Sequence, residues 1–321
     1  MHAHAGSMRL SPDGADISPI WGYEGAAPGP LLRVGRGEEL RVRLINALPA
    51  STAIHWHGVR VPNLMDGVPG LTQAAVAPGA TFDYRFQPPA AGTFWYHTPW
   101  PLPATPAAEA EPASRQRLYG ALIVEEAPPP AVDREHVLVF DDWPMAAGKP
   151  EDPSAFQILT NGTPVPKLAV RANARVRLRL INSARARGIA LRLDRHVANV
   201  MALDGQPADP FRARDNRLVL APGPSTLPQP ARFSVKRGRA VMLGLVNRQE
   251  FACAVHVHGH AFRLLDRLDD GWKPFWLATV LVDAKQTVRI AFLVDNPGKW
   301  LIECVGIDPP GSVTGGWFEV T

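Results

Sequence analysis

The stretch Arg41-Val42-Arg43-Leu44-Ile45-Asn46 decides the fold, because it recurs twice later in the chain. The recurrences are Arg177-Leu178-Arg179-Leu180-Ile181-Asn182 and Leu243-Gly244-Leu245-Val246-Asn247. In each copy, apolar residues alternate with Arg or small residues, which is typical of a half-buried strand, and the Asn is a turn residue that ends the strand. A valine also lies twelve residues before each Asn. Three copies of one strand unit indicate three related β domains.

The composition of the 321-residue chain agrees with a turn-rich β protein. It contains 27 Gly and 33 Pro, and hydrophobic residues at 46% with charged residues at 20% exclude wholesale disorder. The net charge is +4, but the basic residues are scattered rather than clustered, which argues against nucleic-acid binding. No segment reaches the roughly 18 apolar residues that a membrane span requires. The first seven residues lack the apolar stretch of a secretion signal and look like an added leader, so we expect an exported protein whose signal has been removed.

Histidines occupy equivalent positions of the repeat, nine and eleven residues beyond the Asn. These positions hold His55 and His57 in the first unit, Leu191 and Leu193 in the second, and His256 and His258 in the third. Residues i and i+2 of a strand project from one face about 6.5 to 7 Å apart, so each His-x-His is a two-pronged metal ligand. Later in the units, Gly92 to His97 corresponds to Gly298 to Glu303, which puts Glu303 where the first unit has His97. The alternative for a single His is a hydrogen-bonded core residue, our interpretation of His136 and His196.

Four motifs together resemble those of the three-domain multicopper oxidases, the laccase group. They are Ile54-His55-Trp56-His57-Gly58, Pro62-Asn63-Leu64-Met65-Asp66-Gly67, Phe94-Trp95-Tyr96-His97 and His256-Val257-His258-Gly259-His260-Ala261-Phe262. The resemblance runs from about Trp21 to Thr321. It implies an all-β chain of tandem cupredoxin-like Greek-key sandwiches, with domains at 1–128, 129–227 and 228–321, the middle one metal-free and truncated. It also implies a type-1 copper that takes electrons from a reducing substrate and a trinuclear copper cluster that reduces dioxygen to water.

The type-1 copper site of that family is incomplete in this sequence. The site needs two His and one Cys, often with an axial Met. The Cys is present as Cys304, whereas Cys253 and Pro309 stand at the two His positions and Thr314 stands at the Met position. We therefore expect a degenerate type-1 site, with Cys253 and Cys304 as its remnants, and no electron uptake through it.

The trinuclear cluster keeps five of the eight His that the family uses. Carried over from the family, the type-2 pair is His55 and His256, one type-3 ion has His57 and His97, and the other type-3 ion has His258 with Glu303. Pro99 and Val305 stand at the two remaining ligand positions, and neither side chain can bind a metal. Imidazole with carboxylate suits Cu²⁺ or Zn²⁺. We expect copper at these six ligands, with fewer than four ions per chain.

Two other residues of the motifs have a role by resemblance. Asp66 aligns with the acid that helps deliver protons during oxygen reduction, which makes it the one candidate catalytic residue; the alternative is a turn residue, since Asp-Gly is a common turn pair. His260 follows the motif but is no ligand in the family, and we expect it to form a local hydrogen bond.

If the backbone follows the family, the sulfurs of Cys253 and Cys304 face each other where the type-1 copper would sit. That spacing is compatible with a disulfide, which an exported protein would meet the conditions to form. The hypothesis is that a disulfide replaces the copper. Two reduced thiols, or a Cu(I) ion held by both sulfurs, are the alternatives.

Three functions follow from this ligand count. The first is a periplasmic or secreted oxidoreductase with a reduced copper complement, weak or altered oxidase activity and a small reducing substrate. The second is a non-catalytic scaffold or interaction protein that keeps relic histidines. The third is a copper-tolerance protein without turnover, against which the small number of Met, six and unclustered, counts.

The spacing of the repeat predicts an unusual junction. Asn182 and Asn247 are far closer in sequence than Asn46 and Asn182, so the end of the middle unit and the start of the last one have little sequence to build them. We expect residues to be missing or deleted between about 222 and 232; the alternative is a merger of the two domains.

Overall fold

The computed structural model describes residues 1–10, 17–99, 116–144, 156–164, 166–184, 187–221, 231–265, 272–307 and 313–321. The first eight strands are β1 (His2–Arg9), β2 (Ile17–Tyr23), β3 (Leu32–Gly35), β4 (Leu40–Asn46), β5 (His55–His57), β6 (Thr81–Phe86), β7 (Gly92–His97) and β8 (Tyr119–Glu125). The next seven are β9 (Arg134–Pro144), β10 (Phe156–Thr160), β11 (Val176–Asn182), β12 (Ile189–Arg192), β13 (Asn199–Leu203), β14 (Gln206–Arg212) and β15 (Arg217–Leu220). The last nine are β16 (Ala231–Val235), β17 (Arg239–Val246), β18 (Cys253–Val257), β19 (Phe262–Leu265), β20 (Trp272–Leu277), β21 (Thr279–Val282), β22 (Thr287–Val294), β23 (Gly298–Gly306) and β24 (Val313–Val320).

Strands β1 to β8 form two sheets packed face to face, which we call the N-terminal sandwich. The sheet orders are β2-β1-β4-β6 and β3-β8-β7-β5. Strand β4 shows why these residues fold this way: Val42 and Leu44 are buried between the sheets while Arg41 and Arg43 face outward. The core is rich in aromatic side chains, with Trp56 fully buried at its centre.

Strands β16 to β24 form the C-terminal sandwich in the same manner. Its sheets have the orders β16-β24-β23-β18-β21 and β17-β22-β19-β20. The core contains Phe262, Ile290, Trp300 and Phe318, all fully buried. Both sandwiches thus carry their His-x-His segment on a strand that is buried within a sheet.

Strands β9 to β15 lie between the sandwiches in sequence and are called the middle strands. They form the sheet β10-β9-β11 and the pairs β12-β15 and β13-β14. The turn between β13 and β14 contacts the N-terminal sandwich, where the backbone N–H of Thr93 donates to the carbonyl of Gly205 at 3.0 Å. Gly205 has φ +77, and a Cβ there would come within 2.5 Å of the Thr93 carbonyl oxygen, so this approach requires glycine.

The all-β fold predicted from the repeat is confirmed. The described residues include two short 3-10 helices, Asn63–Met65 and Arg214–Asn216. No helix in the described ranges is long and apolar enough to cross a membrane. The interpretation of the first seven residues as a leader was wrong: β1 pairs with both β2 and β4, and Ala3 is fully buried. The expected gap at the junction falls almost entirely on residues 222–230, which lie outside the described residues.

The three Asn of the repeat make the same hydrogen bonds. Each side-chain oxygen accepts from the backbone N–H two residues later, at 2.9 to 3.0 Å. Each side-chain N–H₂ donates to a carbonyl four or five residues later and to another from a distant strand or turn. Because the amide closes the turn and ties it to a second segment, the Asn is a structural corner in all three units.

Replacing Asn46 with Ala tests this corner. Asn46 is fully buried and makes three hydrogen bonds, so Asn46→Ala leaves backbone groups without partners. We expect a loss of about 2–3 kcal/mol in the free energy of unfolding, measured by urea unfolding followed by Trp fluorescence. The control is Asn199→Ala, at an exposed side chain; equal midpoints for the two variants would contradict the assignment.

Candidate metal centre

The two His-x-His segments occupy equivalent places in their sheets. Strand β5 pairs with β7 so that His55 lies opposite His97, and strand β18 pairs with β23 so that His256 lies opposite Glu303. The register therefore matches the sequence correspondence between His97 and Glu303. His258 follows directly after β18, and its backbone N–H donates to the carbonyl of Leu301 in β23.

Five buried imidazoles meet where the two sandwiches face each other. Each is at most 6% exposed: His55, His57, His97, His256 and His258. Two pairs of rings cross the interface. The ring centroids of His55 and His258 are 4.1 Å apart, and those of His57 and His256 are 3.9 Å apart and nearly parallel. The folded chain thus brings together all five histidines that the motifs single out.

Each ring pair is held by one oxygen-bearing residue. His55 Nδ1 donates to the backbone carbonyl of Asp66 at 2.8 Å, and His258 Nδ1 lies 3.0 Å from Asp66 Oδ2. In the other pair, Thr279 Oγ1 lies 3.2 Å from His57 Nε2 and 3.0 Å from His256 Nδ1. Asp66 belongs to the N-terminal sandwich and Thr279 to the C-terminal one, so each residue bonds one His from its own sandwich and one from the other.

The opposite nitrogens of four rings are free to bind a metal. His97 Nδ1 donates to the carbonyl of Thr98 at 3.0 Å. His258 Nε2 faces Glu303. Of the other rings at the centre, four buried nitrogens have no hydrogen-bond partner among the described residues: His55 Nε2, His57 Nδ1, His97 Nε2 and His256 Nε2. A metal-ligating His almost always has an oxygen partner on its second nitrogen, which fixes the tautomer. The four rings fit a transition metal of the kind that imidazole binds.

Two groups of three ligand atoms are compact enough to hold one ion. Within each group the candidate atoms lie within 4.8 Å of one another: His55, His57 and His97, and His55, His256 and His258. His55 belongs to both groups. Because its one free nitrogen can bind a single ion, the two groups cannot both be filled with three imidazoles.

His258 differs from the other four because it lies between two carboxylates. Its Nδ1 faces Asp66, and its Nε2 is 3.2 Å from Glu303 Oε2. Burial alone would lower the pKa of His258, but the charges of Asp66 and Glu303 and their hydrogen bonds raise it to about 10. Burial would likewise raise the pKa of Asp66, yet the contacts with His258 and His55 hold it well below the usual range. Asp66 and Glu303 thus favour the protonated form of His258 in the metal-free protein.

Three of the other rings, those of His57, His97 and His256, are neutral in the metal-free protein. Burial and the neighbouring imidazoles lower the pKa of His97 to about 3 and those of His57 and His256 well below the ordinary value. Neutral imidazole is the form that binds metals. His260, which was expected to form a local bond, lies 3.1 Å through Nδ1 from the carbonyl oxygen of His258.

A narrow cavity leads to this centre. Its lining includes His55, His256, Arg60 and Gln206, and its volume of about 20 Å³ accommodates one water-sized molecule.

Cys253 and Cys304 form no disulfide in the described part of the chain. Both lie in described strands, and the predicted disulfide between them is not found. The register explains this: Cys253 lies opposite Gly306 and Cys304 lies opposite Val255, so the two cysteines are diagonal neighbours, whose Cα atoms are about 7–8 Å apart in such pairs. A disulfide favours a shorter separation. Pro309 lies outside the described residues.

The positions where the family has two further ligands are occupied by apolar packing. Val305 is 3% exposed and packs with Ala254 and Ile307. Pro99 is buried as well. Neither side chain carries an atom that binds a metal.

Sequence reasoning missed two residues beside the histidines, Thr279 and Asp204. Thr279 lies in β21 directly opposite His256. Asp204 lies in the turn between β13 and β14, and its Oδ2 accepts the backbone N–H groups of Ala278 at 2.5 Å and Thr279 at 2.6 Å. The Asp-Gly pair at 204–205 is a recognisable hairpin turn, but no signal in the sequence places it near the histidines.

Comparison with known proteins agrees with this geometry. Family models described as multicopper oxidase match residues 4–128, 95–226 and 197–306. The solved structure of Lac15 from a marine microbial metagenome is 30% identical, with a TM-score of 0.76, over 99% of both chains. A multi-copper oxidase from Pseudomonas thermotolerans is 26% identical, with a TM-score of 0.78, over 100% of this chain and 98% of that one. The chain belongs to the multicopper oxidase family, which confirms the resemblance drawn from the motifs.

Curated relatives match over different lengths. Copper resistance protein A of Pseudomonas syringae pv. tomato is 40% identical over 121 residues, 37% of this chain, and the match spans only 18% of that longer protein. Multicopper oxidase MmcO of Mycobacterium tuberculosis is 23% identical over 421 aligned positions, 91% of this chain and 81% of that protein. Copper is the cofactor that this family membership supports.

The charges of the centre predict how the stability of the metal-free protein depends on pH. As the pH falls below about 6.5, the unfolded chain protonates four histidines whose pKa values are lowered in the folded protein, so stability falls by at most about 1.4 kcal/mol per pH unit for each: His57, His97, His256 and His260, the last with a pKa of about 4. Asp204, whose pKa burial raises to about 6, offsets one of them below pH 6. The stabilisation from protonated His258 is complete below pH 6.5 and is lost as the pH rises towards 10.

We therefore expect maximal stability of the metal-free protein near pH 6.5 to 7, measured by urea unfolding between pH 4.5 and 10. The variant His258→Asn should lose the alkaline decline, while His196→Asn, at an exposed position, should keep the profile of the parent. Higher stability of the metal-free protein at pH 5 than at pH 7 would contradict the assignment of neutral buried histidines.

Proposed function

We propose that this protein is a copper-binding oxidoreductase of the multicopper oxidase family with a reduced set of ions at the junction of the two sandwiches. Its ligands would be His55, His57, His97, His256, His258 and Glu303. The observation that carries the proposal is the convergence of four buried imidazole nitrogens that have no hydrogen-bond partner among the described residues, each on a ring whose other nitrogen is bonded to an oxygen. Leaving such nitrogens buried and unpaired costs free energy unless a ligand binds them.

Fewer than four ions are proposed because the ligands do not suffice for more. The two compact groups share His55. Val305 and Pro99 remove two further ligands, and Glu303 already contacts the Nε2 of His258. The set formed by His55, His57 and His97 is the best candidate for the first ion, because all three of its facing nitrogens are free.

Bound copper would supply one-electron exchange with dioxygen, the chemistry of this family. The chain's own residues do the rest. The imidazoles would hold the ion in a buried space beside the small cavity that His55 and His256 line. Asp66 Oδ2 lies 3.0 Å from His258 Nδ1 and accepts its proton, so the pair would hold a proton beside the bound copper. Asp66 is thus the proposed catalytic residue.

The reducing side of the reaction is where this chain departs from its family. A blue copper needs a His₂Cys set, and Cys253 stands in place of one of the two His. We propose that the type-1 site is lost and that Cys253 and Cys304 are its remnants. Electrons from a small reducing substrate then have no relay copper to pass through, so oxidase activity is weak or altered.

Three further parts of the proposal rest on the family and the repeat. The domains are 1–128, 129–227 and 228–321, with a metal-free, truncated middle domain. The protein acts in the periplasm or is secreted. A disulfide between the two cysteines is no longer favoured, since their register leaves them as diagonal neighbours.

The alternative is a non-catalytic scaffold that keeps its histidines as relics. The apolar packing of Val305 with Ala254 and Ile307 favours it, because a ligand position there has become core. The two functions differ in metal content, so the following prediction separates them.

We expect one or two copper ions per chain in protein purified from copper-supplemented cells, measured by plasma mass spectrometry. His55→Asn removes the ligand that both groups share and should lower the content to well below half of the parent value. His196→Asn is the matched control at an exposed His and should leave the content unchanged. The absorption spectrum should lack the blue-copper band, because the His₂Cys set is incomplete.

Three results would contradict the proposal in different ways. Three or four ions per chain would refute the ligand count. A blue-copper band would refute the loss of the type-1 site. No copper in the parent, with no oxygen consumption on phenolic or metal-ion reductants, would favour the scaffold.

A further inference from the structure

We infer that Thr279, held in place by Asp204 of the middle strands, is a positioning residue that fixes the metal-binding tautomers of His57 and His256. The inference rests on the proposed function, because it concerns the same centre. It assigns a role to two residues that belong to none of the motifs, and to the middle strands, which carry no histidine at the repeat-equivalent positions.

The first step is the position of the hydroxyl. Thr279 Oγ1 lies 3.2 Å from His57 Nε2 and 3.0 Å from His256 Nδ1, and these two rings stack at 3.9 Å with an interplanar angle of 19°. The nitrogens at the other edges, His57 Nδ1 and His256 Nε2, are buried without a hydrogen-bond partner in the described part of the chain. One oxygen therefore serves both rings on the side away from their free nitrogens.

The second step is the proton count. A metal binds an imidazole nitrogen that carries no proton, so the other nitrogen of a neutral ring carries it. His57 must then be protonated at Nε2 and His256 at Nδ1, and both N–H groups point at Thr279. A hydroxyl oxygen has two acceptor lone pairs, which is the number required. The two rings thereby expose different nitrogens, Nδ1 and Nε2, to the same buried space.

The third step is the anchor of Thr279. Its backbone N–H and that of Ala278 both donate to Asp204 Oδ2, at 2.6 and 2.5 Å. Asp204 sits at φ 47 in the β13–β14 turn, and the next residue, Gly205, accepts the N–H of Thr93 in the N-terminal sandwich. The β13–β14 turn thus hydrogen-bonds to both sandwiches. We infer that it positions β21 so that Thr279 Oγ1 reaches both rings.

Thr279 also differs in chemistry from Asp66. Its side chain is a neutral hydroxyl, whereas the Asp66 side chain is a carboxylate 3.0 Å from His258 Nδ1.

The tautomers are tested directly on metal-free protein labelled with ¹⁵N-histidine, by long-range ¹H–¹⁵N correlation, with the resonances of His57 and His256 assigned from His57→Asn and His256→Asn. We expect the parent to show His57 as the Nε2–H tautomer and His256 as the Nδ1–H tautomer. Thr279→Ser keeps the hydroxyl and should keep both. Thr279→Val has the same shape without the hydroxyl and should show a mixture of tautomers for both rings.

Copper affinity is the second readout, measured by competition with a chelator. We expect Thr279→Val to bind Cu²⁺ 10- to 100-fold more weakly than the parent, the usual loss for an outer partner of a ligand, and Thr279→Ser to stay within about threefold. Asp204→Gly removes the carboxylate but fits the positive φ, and should weaken binding about tenfold through the shift of Thr279. Asp204→Asn, which keeps an acceptor oxygen and also tolerates this φ, should restore affinity to within about threefold.

The outcomes separate the two proposals. Unchanged tautomers together with unchanged copper affinity in Thr279→Val would overturn the role of Thr279. A parent that binds no copper would overturn the proposed function, whereas the tautomers of the metal-free protein would still decide the role of Thr279. The melting temperatures of the metal-free variants show that each one is folded when it is measured.

Discussion

The packing of five imidazoles between two β-sandwiches is the constraint on which the rest of this structure depends. Imidazole rings are buried at a cost unless each polar edge is satisfied. Asp66 and Thr279 each hydrogen-bond one His from either sandwich. In these two ring pairs, one nitrogen of each ring is therefore satisfied by an oxygen. The same bonds join the sandwiches and turn four unsatisfied nitrogens towards one space. The same histidines therefore form both the contact between the sandwiches and the proposed ligand set. A bound metal ion would satisfy the ring nitrogens that have no hydrogen-bond partner.

At the positions where we propose departures from the family, apolar packing or a carboxylate takes the place of an imidazole. At two of the proposed lost ligand positions, Val305 and Pro99 are part of the packed interior. Where a third is replaced, Glu303 lies on the metal-facing nitrogen of His258, and the two carboxylates favour its protonated form. We propose that the remaining histidines, including the shared His55, hold the copper of this centre.

Much of this could be read from the sequence, because the repeat encodes it locally. The alternation of residues 41–46 predicted a strand, and its Asn predicted the turn that follows. The repeat-equivalent positions of His97 and Glu303 predicted that the two residues occupy equivalent places in their sheets. The sequence did not predict features that depend on contacts between residues far apart in the chain. The start of the chain looked like a leader because β1 is understood only through its pairing with β2 and β4. The structure contains no disulfide between Cys253 and Cys304, whose positions in the strand pair are offset by two residues. Asp204 and Thr279 could not be found from the sequence because the turn of the middle strands meets β21 only in the folded chain.

The central claim is that copper binds where the two sandwiches meet, through particular imidazole nitrogens. The most direct measurement is a crystal structure of the copper-loaded protein with an anomalous difference map at the copper edge. The account predicts one or two peaks between β5 and β18, with His57 bound through Nδ1 and with His55 and His97 bound through Nε2. Peaks confined to Cys304 or to the surface, or a His57 that binds copper through Nε2, would contradict it.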